Sequence, residues 1–352
     1  MKIKYLIFTL LISNLQLIAQ ETPLYIGTFT NENSQGIYHT TFNTQTGQLG
    51  PIELAIAIDD PSFLAYSPNK KYVYSAHKNG FVSSYKIEDN NKLTLLTRVK
   101  SEGKGACHIA INATSNKAAV SNYGGGTSAI LPINFDGTLA EASQVLNKNL
   151  ENKTARAHAA FFYENELYVA YLGKNAVSQY KLQKNDTYKL TNNAIVDVNG
   201  NPGPRHFKFT KNGQFVYIIN ELAGSITVAK RTKKGFKLIE TVSTLPKDFN
   251  GKNACADIHL SKDERFLYGS NRGENTIAIF ERNQKNGKIK RIENVSVHGN
   301  WPRNFTIDPS GNYLLVANQN SNNISVFKIN TTNGHLNFLY DVKTPTPVCL
   351  LF

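Results

Sequence analysis

Apolar runs of strand length follow one another along this chain, bounded by Gly, Asn, Asp and Pro, with no long helical period between them. A longer period lies over that pattern. "PSFLAYSPNKKYVYSAHKNGFVSSYKI" from Pro61, "PRHFKFTKNGQFVYIINELAGSITVAK" from Pro204 and "PRNFTIDPSGNYLLVANQNSNNISVFKI" from Pro302 read as copies of one unit. Each is a strand, a polar turn, a strand ending in small or polar residues, a second turn and a third strand. Further copies start near Ala106, Ala157 and Cys255. Phe63, His108, His158, His206, Asp257 and Asn304 fall on one aligned position, spaced about 45 to 50 residues. Asn212-Gly213, Ser310-Gly311 and Asn333-Gly334 supply hairpin turns.

The two ends complete the count. "LYIGTFTNENSQGIYHTTFNTQTGQL" from Leu24 matches the second and third strands of a unit and lacks the first, whereas "PTPVCLLF" at the C-terminus is a first strand alone. Pairing them closes a ring and removes two exposed sheet edges. Six whole units and one split unit predict an all-β, seven-bladed β-propeller in which the C-terminal strand completes the N-terminal blade. A different blade number and a β-sandwich are the competing folds. The Trp-Asp signature of common propeller repeats is missing, since Trp301 precedes Pro302.

In such a ring the inner strand of each sheet lines a central channel, and the second strand returns to the face where the inner strand begins. Two sets of positions therefore converge on one mouth. The inner-strand starts bring Ser62, Cys107 with His108, Ala157 with His158, Arg205 with His206, Ala256 with Asp257, and Arg303 with Asn304. The second-strand ends bring His77, Asn122 with Tyr123, Tyr171, Asn220 with Glu221, Asn271 with Arg272, and Asn318 with Gln319. Guanidiniums grip an anionic group in a fork or stabilise a developing oxyanion. An imidazole moves protons near neutrality, and a carboxylate can support it or act as the base. His158, Arg205, Glu221 and Arg272 are the expected catalytic set. His108, Asn122, Tyr123, His206, Asn220, Asn271, Arg303 and Asn318 are the expected substrate contacts.

Each also has an architectural reading. His108 and His206 can be satisfied inner-strand histidines, Arg205 with Glu221 an inter-blade ion pair, and Arg272 and Arg303 the same. Asn122 to Gly126 resembles a phosphate cradle, but no helix follows, so a flexible turn is expected. HExxH, GxSxG, Walker-loop and Cys/His ligand patterns are absent, so neither a metal nor another cofactor is expected.

Residues 1–20 read as a cleaved export signal. Lys2 and Lys4 precede an apolar run from Tyr5 to Ile12; Ser13 and Asn14 interrupt it, and Leu17-Ile18-Ala19 offers a cleavage point. The polar break leaves the stretch short for a membrane span. The product would be an exported domain, 21–352, periplasmic or secreted and monomeric. The formal charge is +13, or +11 without the two leader lysines. The basic residues are scattered, which argues against nucleic acid as a partner and leaves a small molecule. Cys107, Cys255 and Cys349 are far apart with no CxxC pair and read as buried thiols.

With these motifs in place the chain resembles the propeller-type lactonase family, which includes bacterial 6-phosphogluconolactonase and, more distantly, carboxymuconate cyclase. The resemblance runs through "YIGTFT", "PSFLAYSP", "ACHIAI", "SNYGGG", "GPRHFKF", "NELAGSI", "LYGSNRGENTIAIF" and "PRNFTIDPSGNYLLVANQ". It implies a lactone hydrolase with an active site of His158 in "ARAHAAFF", Arg205 in "GPRH", Glu221 in "NEL" and Arg272 in "NRG". A lactonising cycloisomerase and a non-catalytic binding propeller of the envelope are the alternatives. One departure stands out: Tyr171 replaces the acidic residue that family members carry before Leu-Gly, which would alter the channel mouth.

Overall fold

A computed structural model describes residues 21–30, 33–197 and 201–352, so the expected leader lies outside the described residues. The first sheet contains β1 (Glu21–Thr28), β2 (Gly36–Asn43) and β3 (Glu53–Ala57). The second has β4 (Pro61–Tyr66), β5 (Tyr72–His77), β6 (Phe81–Ile87) and β7 (Leu93–Lys100). Then follow β8 (Ala106–Ile111), β9 (Lys117–Asn122), β10 (Thr127–Pro132) and β11 (Gln144–Asn147). The fourth sheet has β12 (Ala157–Tyr163), β13 (Glu166–Tyr171), β14 (Ala176–Leu182) and β15 (Tyr188–Asp197). The fifth has β16 (Pro204–Phe209), β17 (Phe215–Asn220), β18 (Ser225–Thr232) and β19 (Gly235–Ser243). The sixth has β20 (Ala254–Leu260), β21 (Phe266–Arg272), β22 (Thr276–Arg282) and β23 (Ile289–Ser296). The seventh has β24 (Pro302–Ile307), β25 (Tyr313–Asn318), β26 (Asn323–Ile329) and β27 (Leu336–Lys343). Last comes β28 (Pro347–Leu351), which pairs antiparallel with β1, Ile26 opposite Leu350, and makes the first sheet four-stranded. The seven blades and the closure expected from the repeat are both present.

The sequence pattern explains the layering. Second strands such as β17 (FVYIIN) and β25 (YLLVAN) are apolar on both faces and buried throughout, because neighbouring sheets cover both sides. Outer strands such as β7 alternate and expose one face. Between two sheets, Phe215, Tyr217, Ile219 and Val228 pack on Ile258, Leu267, Ala278 and Phe280. A tyrosine recurring in the second strand adds a polar latch to the next sheet's hairpin. Tyr74 donates to the Gly137 carbonyl (3.2 Å), Tyr217 to Gly287 (2.8 Å) and Tyr268 to Gly334 (3.0 Å). Gly287 has no substitute there: its φ is +79°, and a Cβ would lie 2.4 Å from the Phe215 ring.

Every inner strand carries a β-bulge at the same place. Pairing with the second strand skips one residue on passing from Pro61 to Phe63, Ala106 to His108, Ala157 to Ala159, Pro204 to His206, Pro302 to Asn304 and Pro347 to Cys349. Between Cys255 and Ile258 the register shifts likewise. The bulge sorts channel residues into two tiers. Ser62, Cys107, His158, Arg205, Ala256, Arg303 and Val348 form the upper tier. Phe63, His108, Ala159, His206, Asp257, Asn304 and Cys349 form the tier below. The sequence alignment is thereby corrected by one residue in the fourth blade. Ala159, not His158, is the equivalent of His108 and His206; His158 is the equivalent of Arg205 and Arg303.

Candidate active site

A cavity of about 460 Å³ opens at the upper mouth of the channel. Ser62, Cys107, His158 and Arg303 reach it from the bulge tier. Phe29, Lys78, Tyr123, Glu221, Arg272 and Gln319 reach it from the other direction, each being the residue just after the fully buried Thr28, His77, Asn122, Asn220, Asn271 or Asn318 of a second strand. That preceding position is a different device. Asn122, Asn220, Asn271 and Asn318 are fully buried inside their blades. Asn122 Nδ2 donates to the Ser101 carbonyl (2.7 Å), Asn271 Nδ2 to Thr244 (3.1 Å) and Asn318 Nδ2 to Val297 (3.4 Å), tying the incoming crossover to the blade. Asn220 Nδ2 bonds Ser225 and Thr227 instead. The four asparagines expected to touch substrate therefore hold the loops that carry the site and do not line the cavity. Tyr171 occupies the same buried position, its hydroxyl 2.9 Å from that of Tyr180, so the residue replacing the family's acid lies away from the mouth. Phe29 and Lys78 were missed by sequence reasoning. The available signal was their place one residue beyond Thr28 and His77, matching Tyr123, Glu221 and Arg272.

The four expected catalytic residues do meet, at different depths. Glu221 Oε2 lies 3.0 Å from Arg205 Nε and 2.9 Å from Arg272 Nη2. Arg272 Nε and Nη2 also donate to the carbonyls of Ala254 (2.9 Å) and Cys255 (3.1 Å), which fixes its plane. Its guanidinium sits 5.2 Å from the centre of the Trp301 ring, a tryptophan held at φ +64° just before β24. Arg205 stands behind Glu221 and is only 2% exposed. Arg303 lines the cavity over the Phe29 ring (5.0 Å) with no hydrogen bond or ion pair among the described residues. Lys78, Arg272 and Arg303 against Glu221 leave the cavity lining at 3 − 1, or +2, and Arg205 adds a further positive charge behind Glu221.

These charges set the protonation states. Burial pushes the Glu221 carboxyl up, but Arg272, Arg205 and Arg303 outweigh it and hold Glu221 below the usual carboxylate range. His158 is buried beside Tyr123, ring centres 5.5 Å apart, with Cys107 Sγ 3.9 Å from its Nδ1. Burial first, then Arg205, His206 and Arg303, keep it well below the ordinary imidazole value, so it is neutral at pH 7. Burial and the neighbouring guanidiniums Arg205 and Arg272 lower Arg303 to about 9. The Cys107 thiol is pushed up to about 11 by burial, which leaves it protonated. All three cysteines are free thiols.

His108 and His206, expected as substrate contacts, belong to the lower tier. With Phe63 they close the channel under His158: His158 to His206 is 5.3 Å, His108 to His206 5.4 Å and Phe63 to His108 4.2 Å between ring centres. Below them a second cavity of about 520 Å³ opens to the other face, lined by Lys208, Asp257 and His259 among others. Among the described residues no three His, Cys, Asp or Glu side chains are placed to hold a metal ion.

The buried imidazoles give the fold an acid sensitivity. Burial lowers His77 and His206 to about 4, and lowers His108, His158 and His259 in the same direction. Below the ordinary value near 6.5 the unfolded chain binds protons that the native chain refuses, so stability falls as pH drops from 7 to 4. His206 alone contributes on the order of 3 kcal/mol of that loss. Melting temperatures measured across this range are expected to fall steadily; a flat profile contradicts the neutral-histidine assignment.

Fold and site together define a seven-bladed propeller with a cationic channel mouth bridged by one carboxylate. The chain belongs to the family described as lactonase, 7-bladed beta-propeller, whose model matches residues 23–352. It is 32% identical over 343 residues to the 6-phosphogluconolactonase of Bacillus subtilis, covering 93% of this chain and 97% of that protein. It is 34% identical to a Formosa agariphila protein of the same name, covering 84% and 88%. Among solved structures, a Bacteroides uniformis protein assigned as a 6-phosphogluconolactonase superposes with a TM-score of 0.88 at 31% identity, over 94% of this chain and 99% of that one. The periplasmic gluconolactonase of Pseudomonas aeruginosa also gives 0.88, at 27% identity over 94% and 98%.

Proposed function

We propose that this protein hydrolyses a small anionic, sugar-derived lactone at the upper channel mouth, using side-chain acid–base chemistry alone. The observation that carries this is Arg303. An unpaired guanidinium lining a cavity of net charge +2 needs an anionic partner, and burial strengthens the attraction. The relatives named 6-phosphogluconolactonase and gluconolactonase support the lactone as the reacting group.

Arg303, with Lys78 at the rim, holds the anionic group. Arg272 faces the carbonyl oxygen, and its Nη1 is free of the bonds that fix its other nitrogens. Neutral His158 takes a proton as water adds to the carbonyl carbon, and the charge gathers on the carbonyl oxygen beside Arg272. Glu221 stabilises the imidazolium that forms. The ring C–O bond then breaks, His158 returns the proton to the leaving alkoxide, and the new carboxylic acid gives its own proton to solvent and departs as the open-chain carboxylate. Because His158 must be neutral to begin, the acid limb of kcat/KM is expected well below pH 6.5. We place the mature protein, 21–352, outside the cytoplasm as a monomer. The leader pattern and the periplasmic relative support export.

The test is a panel of phosphorylated, unphosphorylated and aromatic-derived lactones in heavy-oxygen water. Ring opening with solvent oxygen in the new carboxylate, fastest on an anionic lactone and unaffected by chelator, is the expected result. Turnover without solvent oxygen indicates a cycloisomerase. No turnover with tight binding indicates a binding propeller. Either result overturns the proposal.

A further inference from the structure

The Arg205–His206–Asp257 contact reaches the site without touching the cavity. Arg205 Nη1 lies 3.2 Å from His206 Nε2 and donates to the Ala256 carbonyl at 2.6 Å. A guanidinium has donors only, so Nε2 of His206 must carry a lone pair. The ring proton then sits on Nδ1, which donates to Asp257 Oδ1 at 2.8 Å. Asp257 is itself fixed from several directions. Ile258 N donates to Oδ1 (2.9 Å), while His259 Nε2 (3.2 Å) and Asn304 Nδ2 (2.5 Å) donate to Oδ2. Asn304 Oδ1 in turn accepts from Leu350 N (2.7 Å) in the ring-closing strand. Arg205, His206 and Asp257 are 2%, 5% and 2% exposed, so water does not compete for these bonds.

We propose that Asp257 and His206 are positioning residues for the reaction: they lock the tautomer and plane that hold Arg205, and through Arg205 the Glu221 carboxylate, against the cavity. The claim rests on the lactonase reading for its kinetic consequence, but its geometry stands apart from any substrate. Asp257 selects the imidazole tautomer. With an amide in its place, His206 can move its proton to Nε2 and present a donor to the Arg205 donor. Arg205 would then swing away and Glu221 would lose one of its two holds. Arg272 and Arg303 would remain, so substrate would still bind.

Three variants test this. His206→Leu removes the acceptor. Asp257→Asn unlocks the tautomer. His206→Gln keeps an acceptor for Arg205 and a donor for Asp257. His206→Leu and Asp257→Asn are expected to lower kcat about 100-fold with KM little changed, and His206→Gln to recover to within about tenfold of wild type. A loss of packing alone would raise KM as well and would not be rescued by Gln. In parallel, NMR of the Arg205 guanidinium should show rotation hindered in wild type and His206→Gln and freed in the other two, with melting temperature as a fold check. Unchanged kcat in His206→Leu, failure of the Gln rescue, or Arg205 rotation that no variant alters overturns the positioning role. If wild type opens no lactone, the functional reading fails, and the Arg205 signal still decides this claim.

Discussion

Replacing His158 with alanine is expected to lower kcat/KM by about 10²- to 10⁴-fold, the usual contribution of a positioned general base. The side chain lies 4% exposed in the upper tier, facing the cavity and surrounded by guanidiniums. No other imidazole takes its place. His108 and His206 lie one tier lower and line the opposite cavity. The low proton affinity of His158 in the empty site also fits the role. An anionic substrate offsets the +2 charge of the mouth, which raises the imidazole's affinity for a proton once substrate is bound. KM should change little, because Arg272 and Arg303 remain. Circular dichroism and the melting temperature should match wild type. A loss under about tenfold would move the base to Glu221, whose replacement by glutamine would then carry the larger defect.

Deleting residues 347–352 is expected to abolish folding as a soluble monomer. Val348, Cys349 and Leu350 in β28 are buried, and burying three such side chains contributes roughly 5 to 9 kcal/mol. That is comparable to the whole stability of a typical domain, about 5–15 kcal/mol. The loss is compounded by geometry. Removal bares the β1 edge from Tyr25 to Thr28 and leaves Asn304 Oδ1 without its Leu350 partner. An unpaired apolar edge templates association with a second chain. Expression, size-exclusion behaviour and thermal unfolding report the outcome. A soluble monomer with the wild-type melting temperature would mean that closure by β28 is dispensable. Supplying the missing strand as a peptide is expected to restore part of the stability.

The repeat made the blade count and the ring closure legible, because a unit that cannot bury its faces alone must stack, and its period survives in the sequence. The Asn-Glu, Asn-Arg and Asn-Tyr pairs ending second strands were also visible. Which member of each pair meets the cavity was not. Both are polar, and only the packed blade shows that Asn220 turns inward and Glu221 outward. The first set failed in a related way: His158 and His206 aligned by sequence, yet they stand in different tiers.

By itself, the sequence determined three strands of each unit, their grouping into seven sheets, the mutual completion of the two termini, and the convergence of His158, Arg205, Glu221 and Arg272 on one mouth; the outermost strand of each sheet was not read from it. Alternating polarity and a long period are properties of a linear chain, and they suffice for that. Depth along the channel was decided only by the tertiary structure. A β-bulge adds one residue without disturbing the apolar pattern, so the alternation that assigns faces cannot report it. The seven stacked bulges place His158 and Arg303 above His108, His206 and Asp257, and that one-residue offset separates the side chains lining the upper cavity from those lining the lower one.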